Sequence, residues 1–506
     1  MRKIIIKSLL VLLLIINLQM PGFGNTEDID KYLLDNVVST RLSNGINVVL
    51  LHRGFFPTIT LITSFKVGSV DESYKTIGMA HMLEHMLFKG TDRIGTKDFK
   101  KEKKILSKIT KTGENLDKLR LINPTDKKIP ILEQKLKDLQ RDQRKYTISS
   151  PYDKIYTAKG GVGFNASTSK DITSYIIELP SSKIELWAST ESERLRKPVM
   201  REFYLERSTV LEERLMRYES KGISNLIEKF IAVAFIAHPY RHPIIGWMSN
   251  IEHFSMNSVK KFYKTNYIPS RMTITVVGWQ NTDKTLKLLE KYFGNLKPGD
   301  DPPEIVIKEP KQKGERRINI NFKSNPYLII GWHKPTFPSR DNYIADMISG
   351  ILSYGKSSRL YKILLLEKQI VASVDSWNGF PGERYDNLFI ITATPKHPYT
   401  TEDVEKAIHE EIERLKIDLK EEELKRVLNR LEASLIFDLD SNKGVAKQLN
   451  YFQTNYGDWK YLTKYLDNLK KINTEDIKKF ISRYFTKENR TVGILINSND
   501  IIDSKN

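Results

Sequence analysis

Cysteine is absent from all 506 residues. That excludes disulfides, thiolate metal ligands, a Cys nucleophile and a lipid-anchored N-terminal Cys, so any bound metal must sit on His and carboxylates. Histidine is scarce as well, with nine in the chain. Acidic residues are outnumbered, 62 against 81 Lys and Arg, for a formal net charge of +19. The lysines are spread along the chain, and no basic stripe interleaved with aromatics or nucleic-acid module is found. We therefore expect no nucleic-acid partner, with acidic or membrane-near partners allowed. Long apolar runs are missing except at the start. There Arg2, Lys3 and Lys7 precede Leu9 to Ile16, then Pro21, Gly22 and Gly24. This layout predicts a signal peptide over 1–24, removed near Gly24, and hence export to the periplasm or the medium. An uncleaved anchor is the alternative, because the cleavage region is not Ala-x-Ala.

What is present is ordinary globular composition, 40% hydrophobic and 28% charged, long enough for two or more domains. Val37 to His52 reads as two strands about an Asn44-Gly45 turn, and Thr58 to Val67 as a further alternating strand. Helical patterns follow at Ile77 to Lys89 and through much of 185–235. The mixture predicts an α+β fold. Residues 97–146 are dense in charge, with Leu132, Leu136 and Leu139 at helical spacing after Asn123-Pro124, and predict an inserted helical hairpin that is either a partner-binding arm or a solvated excursion. The Pro- and Gly-rich stretch 297–315 is expected to link a first domain (25–296) to a second (316–506). SVKKFYKTNYIPSRMTITVVG from Ser258 echoes DIKKFISRYFTKENRTVGILI from Asp476, which suggests two related halves.

The chemistry concentrates in IGMAHMLEHMLFKGT, from Ile77 to Thr91. His81 and His85, four apart on a helix, present two imidazoles on one face, while Leu83 with Leu87 and Met82 with Met86 form apolar rows. Glu84 borders that face without needing to bind the ion, the place for a general base acting on a metal-activated water. A catalytic zinc wants a third protein ligand and an open position. In FYLERSTVLEERLMRYES, Glu206 and Glu213 are seven apart and share a helix face, whereas Glu212 points away. Spacing alone does not choose among these carboxylates.

The inverted order H-x-x-E-H resembles the pitrilysin (insulinase) family of zinc metallopeptidases, which includes the mitochondrial processing peptidases. Blocks in the same order extend the resemblance: GGVGFNASTSKDITSY from Gly160, ESERLRKPVM from Glu191, LERSTVLEERLMR from Leu205, HPYRHPIIGWMSNIE from His238 and GKSSRLY from Gly355. The resemblance implies two related halves, each an antiparallel sheet backed by helices, closing like a clam around a chamber. It implies one Zn2+ per chain held by His81, His85 and Glu213, with Glu84 as base and Glu206 as a supporting carboxylate. It also implies peptide bound as an added strand along Asn165 to Thr173, with Asn165 and Ala166 as contacts. His238 and His242, in a proline-flanked loop, are assigned to packing.

One departure matters. Active members of the family draw an Arg and a Tyr from the second half or from a partner chain, but here Leu366 and Ala372 align at those places. This resembles the zinc-bearing member of a heterodimer whose companion lacks the zinc motif and supplies both residues. A different register would instead use the nearby Arg359 and Tyr361. The expected activity is a zinc-dependent endopeptidase acting on peptides or unfolded segments. The alternatives are a non-catalytic structural subunit of the same fold and a peptidase dedicated to one exported precursor; other divalent ions would also suit the ligand set.

Overall fold

The Asn44-Gly45 pair turns a hairpin between strands β1 (Val37–Arg41) and β2 (Asn47–His52), with Gly45 in the left-handed region at φ 96° and Val37 opposite Leu51. Strands β3 (Thr58–Phe65), β4 (Val162–Thr168), β5 (Thr173–Pro180) and β6 (Met272–Gly278) complete a six-stranded sheet in the order β1-β2-β6-β3-β5-β4. The structure, a computed structural model, describes residues 26–498, so the signal segment at 1–24 lies outside the described residues. A second sheet has the order β7-β11-β8-β10-β9, from strands Arg316–Phe322, Tyr327–Lys334, Val371–Phe380, Asn387–Pro395 and Arg490–Asn497, numbered β7 to β11 along the chain. Without β1, the first sheet reads β2-β6-β3-β5-β4 and superposes on this order strand for strand.

The pairing directions correspond too. β6 runs parallel to β2 and antiparallel to β3; β11 runs parallel to β7 and antiparallel to β8. The two echoing segments are therefore equivalent units, a helix (Met256–Asn266 or Thr474–Tyr484) followed by the strand it feeds. Each half is thus a largely antiparallel sheet backed by helices, with one parallel pair in each sheet. Each of the two strands enters after a helical excursion, and such a crossover is what a parallel neighbour requires. The last seven residues of β3 are all buried, so both faces of the sheet are covered there.

The covering is reciprocal between the halves. The helix Asn442–Tyr456 of the second half lies on β3 and β6, where Asn450 donates to Thr275 Oγ1 at 3.0 Å. The helix Gly222–Ala234 of the first half lies on β11, β7 and β8. Gly331 and Gly493 make room for it: a Cβ at Gly331 would stand 2.8 Å from Phe230 Cζ. Val49, Leu51, Ile62 and Val277 of the first sheet thus share one core with the second half. At about 1.5–3 kcal/mol for each such side chain buried, this shared core resists separation of the halves along the seam. The result is a two-lobed α+β body, consistent with a clam-like chamber.

The charged insertion is a helical hairpin, Phe99–Ile122 packed on Lys128–Arg144. Residues 297–315 carry neither helix nor strand.

Candidate metal centre

The helix Met79–Leu87 buries Met79, Ala80, Met82, Leu83, Met86 and Leu87 and leaves the His81, Glu84 and His85 face half-exposed. Its start is fixed from outside. The buried Glu72 carboxylate accepts from Gly78 N and Ala80 N, both at 2.7 Å, satisfying amide groups that a helix start leaves unpaired. Gly78 is obligatory there, since at φ 93° a Cβ would stand 2.4 Å from Ile245 O. Its end is held by Arg201, whose guanidinium donates to the carbonyls of Lys89 and of Thr91 (2.9 Å). Arg201 also forks onto the buried Glu102 carboxylate at 2.6 and 3.0 Å, tying the inserted hairpin to this end of the site.

The second helix, Phe203–Arg214, packs across the first and supplies two carboxylates. Glu213 Oε2 stands 3.8 Å from His81 Nε2 and 3.6 Å from His85 Nε2, and ligand atoms of all three lie within 4.8 Å of one another. Those separations are too long for hydrogen bonds. They approach the spacing of neighbouring ligands around one ion, since zinc ligands at about 2.0–2.1 Å in a tetrahedron sit roughly 3.3–3.4 Å apart. Among the described residues this is the one His and carboxylate cluster with such geometry.

The surroundings fit a cation. Burial, reinforced by the charges of His85 and Arg217, pushes His81 down to about 3, so its imidazole is neutral and able to ligate. Burial works against charging His85, but the Glu206 hydrogen bond and the carboxylates of Glu206, Glu213 and Glu84 raise its pKa. His85 Nδ1 meets Glu206 Oε2 at 3.3 Å, which directs Nε2 toward Glu213. Burial disfavours a charged Glu206, yet His85 and Lys89 hold its carboxyl below the ordinary value. Glu84 is raised chiefly by burial, against a hydrogen bond from Thr168 Oγ1 at the end of β4.

The structure thus brings together His81, Glu84, His85, Glu206 and Glu213, and leaves Glu212 exposed. Asn165 and Ala166 lie on β4, which pairs only with β5 and so ends the sheet, beside the helix Met79–Leu87. His238 is buried among Phe235, Tyr240 and Tyr385, with Nδ1 accepting from Tyr240 N. Arg359 is committed within the second half to Glu411, Asp418 and Glu423.

Sequence reasoning missed Lys89, Thr168 and Arg217. Lys89 pairs with Glu206 and Glu202, and Arg217 Nη1 reaches Glu213 Oε1 at 3.0 Å. Each of these two stands four residues after a member of the cluster, so helical spacing could have found them. Thr168 carries no such signal. A cavity of about 330 Å³ adjoins the site, bounded by Phe88, Lys89, Tyr152, Phe164 and Glu202.

Residues 48–117 match the family described as Insulinase (Peptidase family M16), and residues 253–431 match the Peptidase M16 inactive domain. The zinc protease PqqE of Helicobacter pylori is 29% identical over 90% of this chain and 92% of its own. A probable mitochondrial-processing peptidase subunit beta of Schizosaccharomyces pombe is 23% identical, over 82% of this chain and 81% of its own. Among solved structures, a protease from Helicobacter pylori is similar with a TM-score of 0.77 and 26% identity, covering 91% of this chain and 99% of that one.

Proposed function

Because this chain belongs to the insulinase (M16) family of peptidases, we propose that it is a zinc-dependent endopeptidase that cleaves peptides or unfolded segments. The observation that carries this reading is the convergence of His81, His85 and Glu213 from two helices, with Glu84 on the same face. The "inactive domain" description falls on residues 253–431, outside that cluster.

In this reading His81, His85 and Glu213 hold one Zn2+, and Glu206 orients His85. When bound, zinc lowers the pKa of a water to about 7 and polarises the scissile carbonyl. Glu84 removes the proton from the attacking water and delivers it to the departing amine. Burial raises its pKa, which favours its taking up a proton, and Thr168 fixes its orientation. Substrate lies along β4 by strand addition, with Asn165 and Ala166 beside it and a side chain entering the cavity at Phe88 and Phe164.

We further propose that the working enzyme is a heterodimer. Leu366 and Ala372 cannot donate side-chain hydrogen bonds, and Arg359 is already bound by three carboxylates, so a companion chain would supply the Arg and Tyr. The shared core between the halves leaves opening and closing to a second chain. Export to the periplasm or the medium completes the proposal.

The test is cleavage of an unstructured peptide by the zinc-loaded protein, alone and mixed with a candidate companion. Glu84→Gln should lower the rate by about 10²–10⁴ while zinc stays stoichiometric. A Gln variant as active as the parent would overturn the base assignment. Full activity of the chain alone would overturn the required companion, and zinc binding without cleavage in every mixture would favour the structural-subunit alternative.

A further inference from the structure

The inserted hairpin concentrates charge. Residues 97–146 hold sixteen Lys and Arg against eight Asp and Glu, a net +8 of the chain's +19 in about one tenth of its length. All sixteen of these basic side chains are exposed. The base of the hairpin is fixed to the body of the protein. Ile109, Leu116 and Leu136 join Met82, Met86 and Tyr204 in a core of the first half, Arg207 forks onto Asp117 at 2.8 Å to each oxygen, and Asn257 donates to Glu114 at 3.1 Å. Gly113 lies so close under Tyr204 that a Cβ would clash with its ring. These anchors make the hairpin a rigid projection rather than a loose excursion.

Beyond Asp117 the pattern changes. Leu121, Ile122 and Ile131 are 69, 69 and 67% exposed, and Arg120 meets Glu133 at 2.5 Å, so the two turns that bear them abut. Scattered exposed aliphatics are ordinary on a protein surface. Three gathered at one tip, with Pro124 and Pro130 exposed beside them, are not scattered. Lys118 stands one helical turn before Leu121 and Ile122, Lys135 one turn after Ile131, and Lys127 and Lys128 at the connection between the helices; all four are exposed and make no ion pair with any described residue. An apolar tip within a collar of unpaired cations has the chemistry of a segment that enters the headgroup region of an anionic bilayer. Aliphatic side chains reach about 5–10 Å in while Lys and Arg meet lipid phosphates.

We propose that the tip around Leu121, Ile122 and Ile131 docks this protein onto a membrane surface rich in acidic phospholipid. An acidic protein partner would account for the lysines but not for three bare aliphatic side chains at the point of the projection. The docking is independent of the metal site, so its success or failure leaves the peptidase reading untouched.

The absence of cysteine gives a clean experiment. Ile122→Cys in the full chain accepts a single environment-sensitive fluorophore, and Ile417→Cys, 79% exposed on a helix of the second half, serves as the control position. Each labelled protein is mixed, at low ionic strength, with vesicles of phosphatidylcholine alone and with vesicles containing phosphatidylglycerol. The expected result is a blue shift and a several-fold rise in emission at position 122 only, with the acidic vesicles only, and reversal at high salt. Adding Lys127→Glu and Lys128→Glu should weaken vesicle binding at position 122 by about tenfold or more. No shift at 122 with acidic vesicles, equal shifts at 122 and 417, or a shift that survives the double charge reversal would overturn the proposal. A shift at 122 with soluble polyglutamate but none with acidic vesicles would overturn it in favour of an acidic protein partner.

Discussion

Replacing Glu206 with Gln separates holding the metal from doing the chemistry. The carboxylate stands behind His85, 3.3 Å from Nδ1, and makes no contact with His81 or Glu213. Gln keeps the shape and an acceptor oxygen but loses the charge that makes His85 Nε2 a stronger donor to a metal. Loss of such a supporting group costs roughly 10–100-fold in metal affinity, or about 1.4–2.7 kcal/mol. The bond here is long for a charge-assisted pair, and Lys89 keeps Glu202 at 3.3 Å as an alternative partner. The lower half of that range is therefore expected. The assay is zinc titration against a competing chelator, with peptide cleavage followed at each free-zinc concentration. Glu206→Gln should shift the zinc midpoint by about 10- to 30-fold and recover most of its rate at saturating zinc. Glu213→Gln should shift it much further, because in the proposed site it removes a direct ligand. An unshifted midpoint in Glu206→Gln, or a rate that stays low at full occupancy, would refute the supporting role and place Glu206 in the chemistry instead.

Arg201→Met strands the buried Glu102 carboxylate and the carbonyls at the end of the metal helix; a loss of about 3–5 kcal/mol in urea unfolding is expected, partly restored by Glu102→Gln, whereas a loss under about 1 kcal/mol would contradict the buried-pair argument. Burial, with Arg384 and Lys170 nearby, pushes His238 down to about 4 despite Glu309, against an ordinary value of 6.5. Because the unfolded chain takes up a proton that the folded one refuses, stability present above pH 6.5 falls as pH drops toward 4, by up to about 1.4 kcal/mol per pH unit from this residue. His238→Gln should flatten that part of the curve, and an unchanged slope would refute the assignment. Successive amides of β4 point to opposite sides, so of Asn165→Pro and Ala166→Pro one should remove an N–H offered to substrate and raise KM without changing zinc content; equal and small effects from both would argue against strand addition.

The sequence alone determined the local features of this protein. His81 and His85 share a face because four residues make about one helical turn, and Glu206 and Glu213 do so because seven make about two. Asn44-Gly45 set a hairpin and Asn123-Pro124 broke a helix, because those residues restrict the backbone without help from distant contacts. The duplication was visible in two short matching segments, since equivalent helix and strand units keep the same apolar periodicity. Tertiary structure decided what these pieces meet. The separation of 128 positions between His85 and Glu213 carries no distance information, and only the packing of two helices brings those side chains together. Thr168 on Glu84, Arg201 on Glu102 and the exchange of covering helices between the halves are likewise contacts between segments far apart in the chain. The parallel pairs of β6 and β11 were hidden for the same reason: alternation along a strand reports which side chains are buried, not which neighbour the strand joins or in which direction.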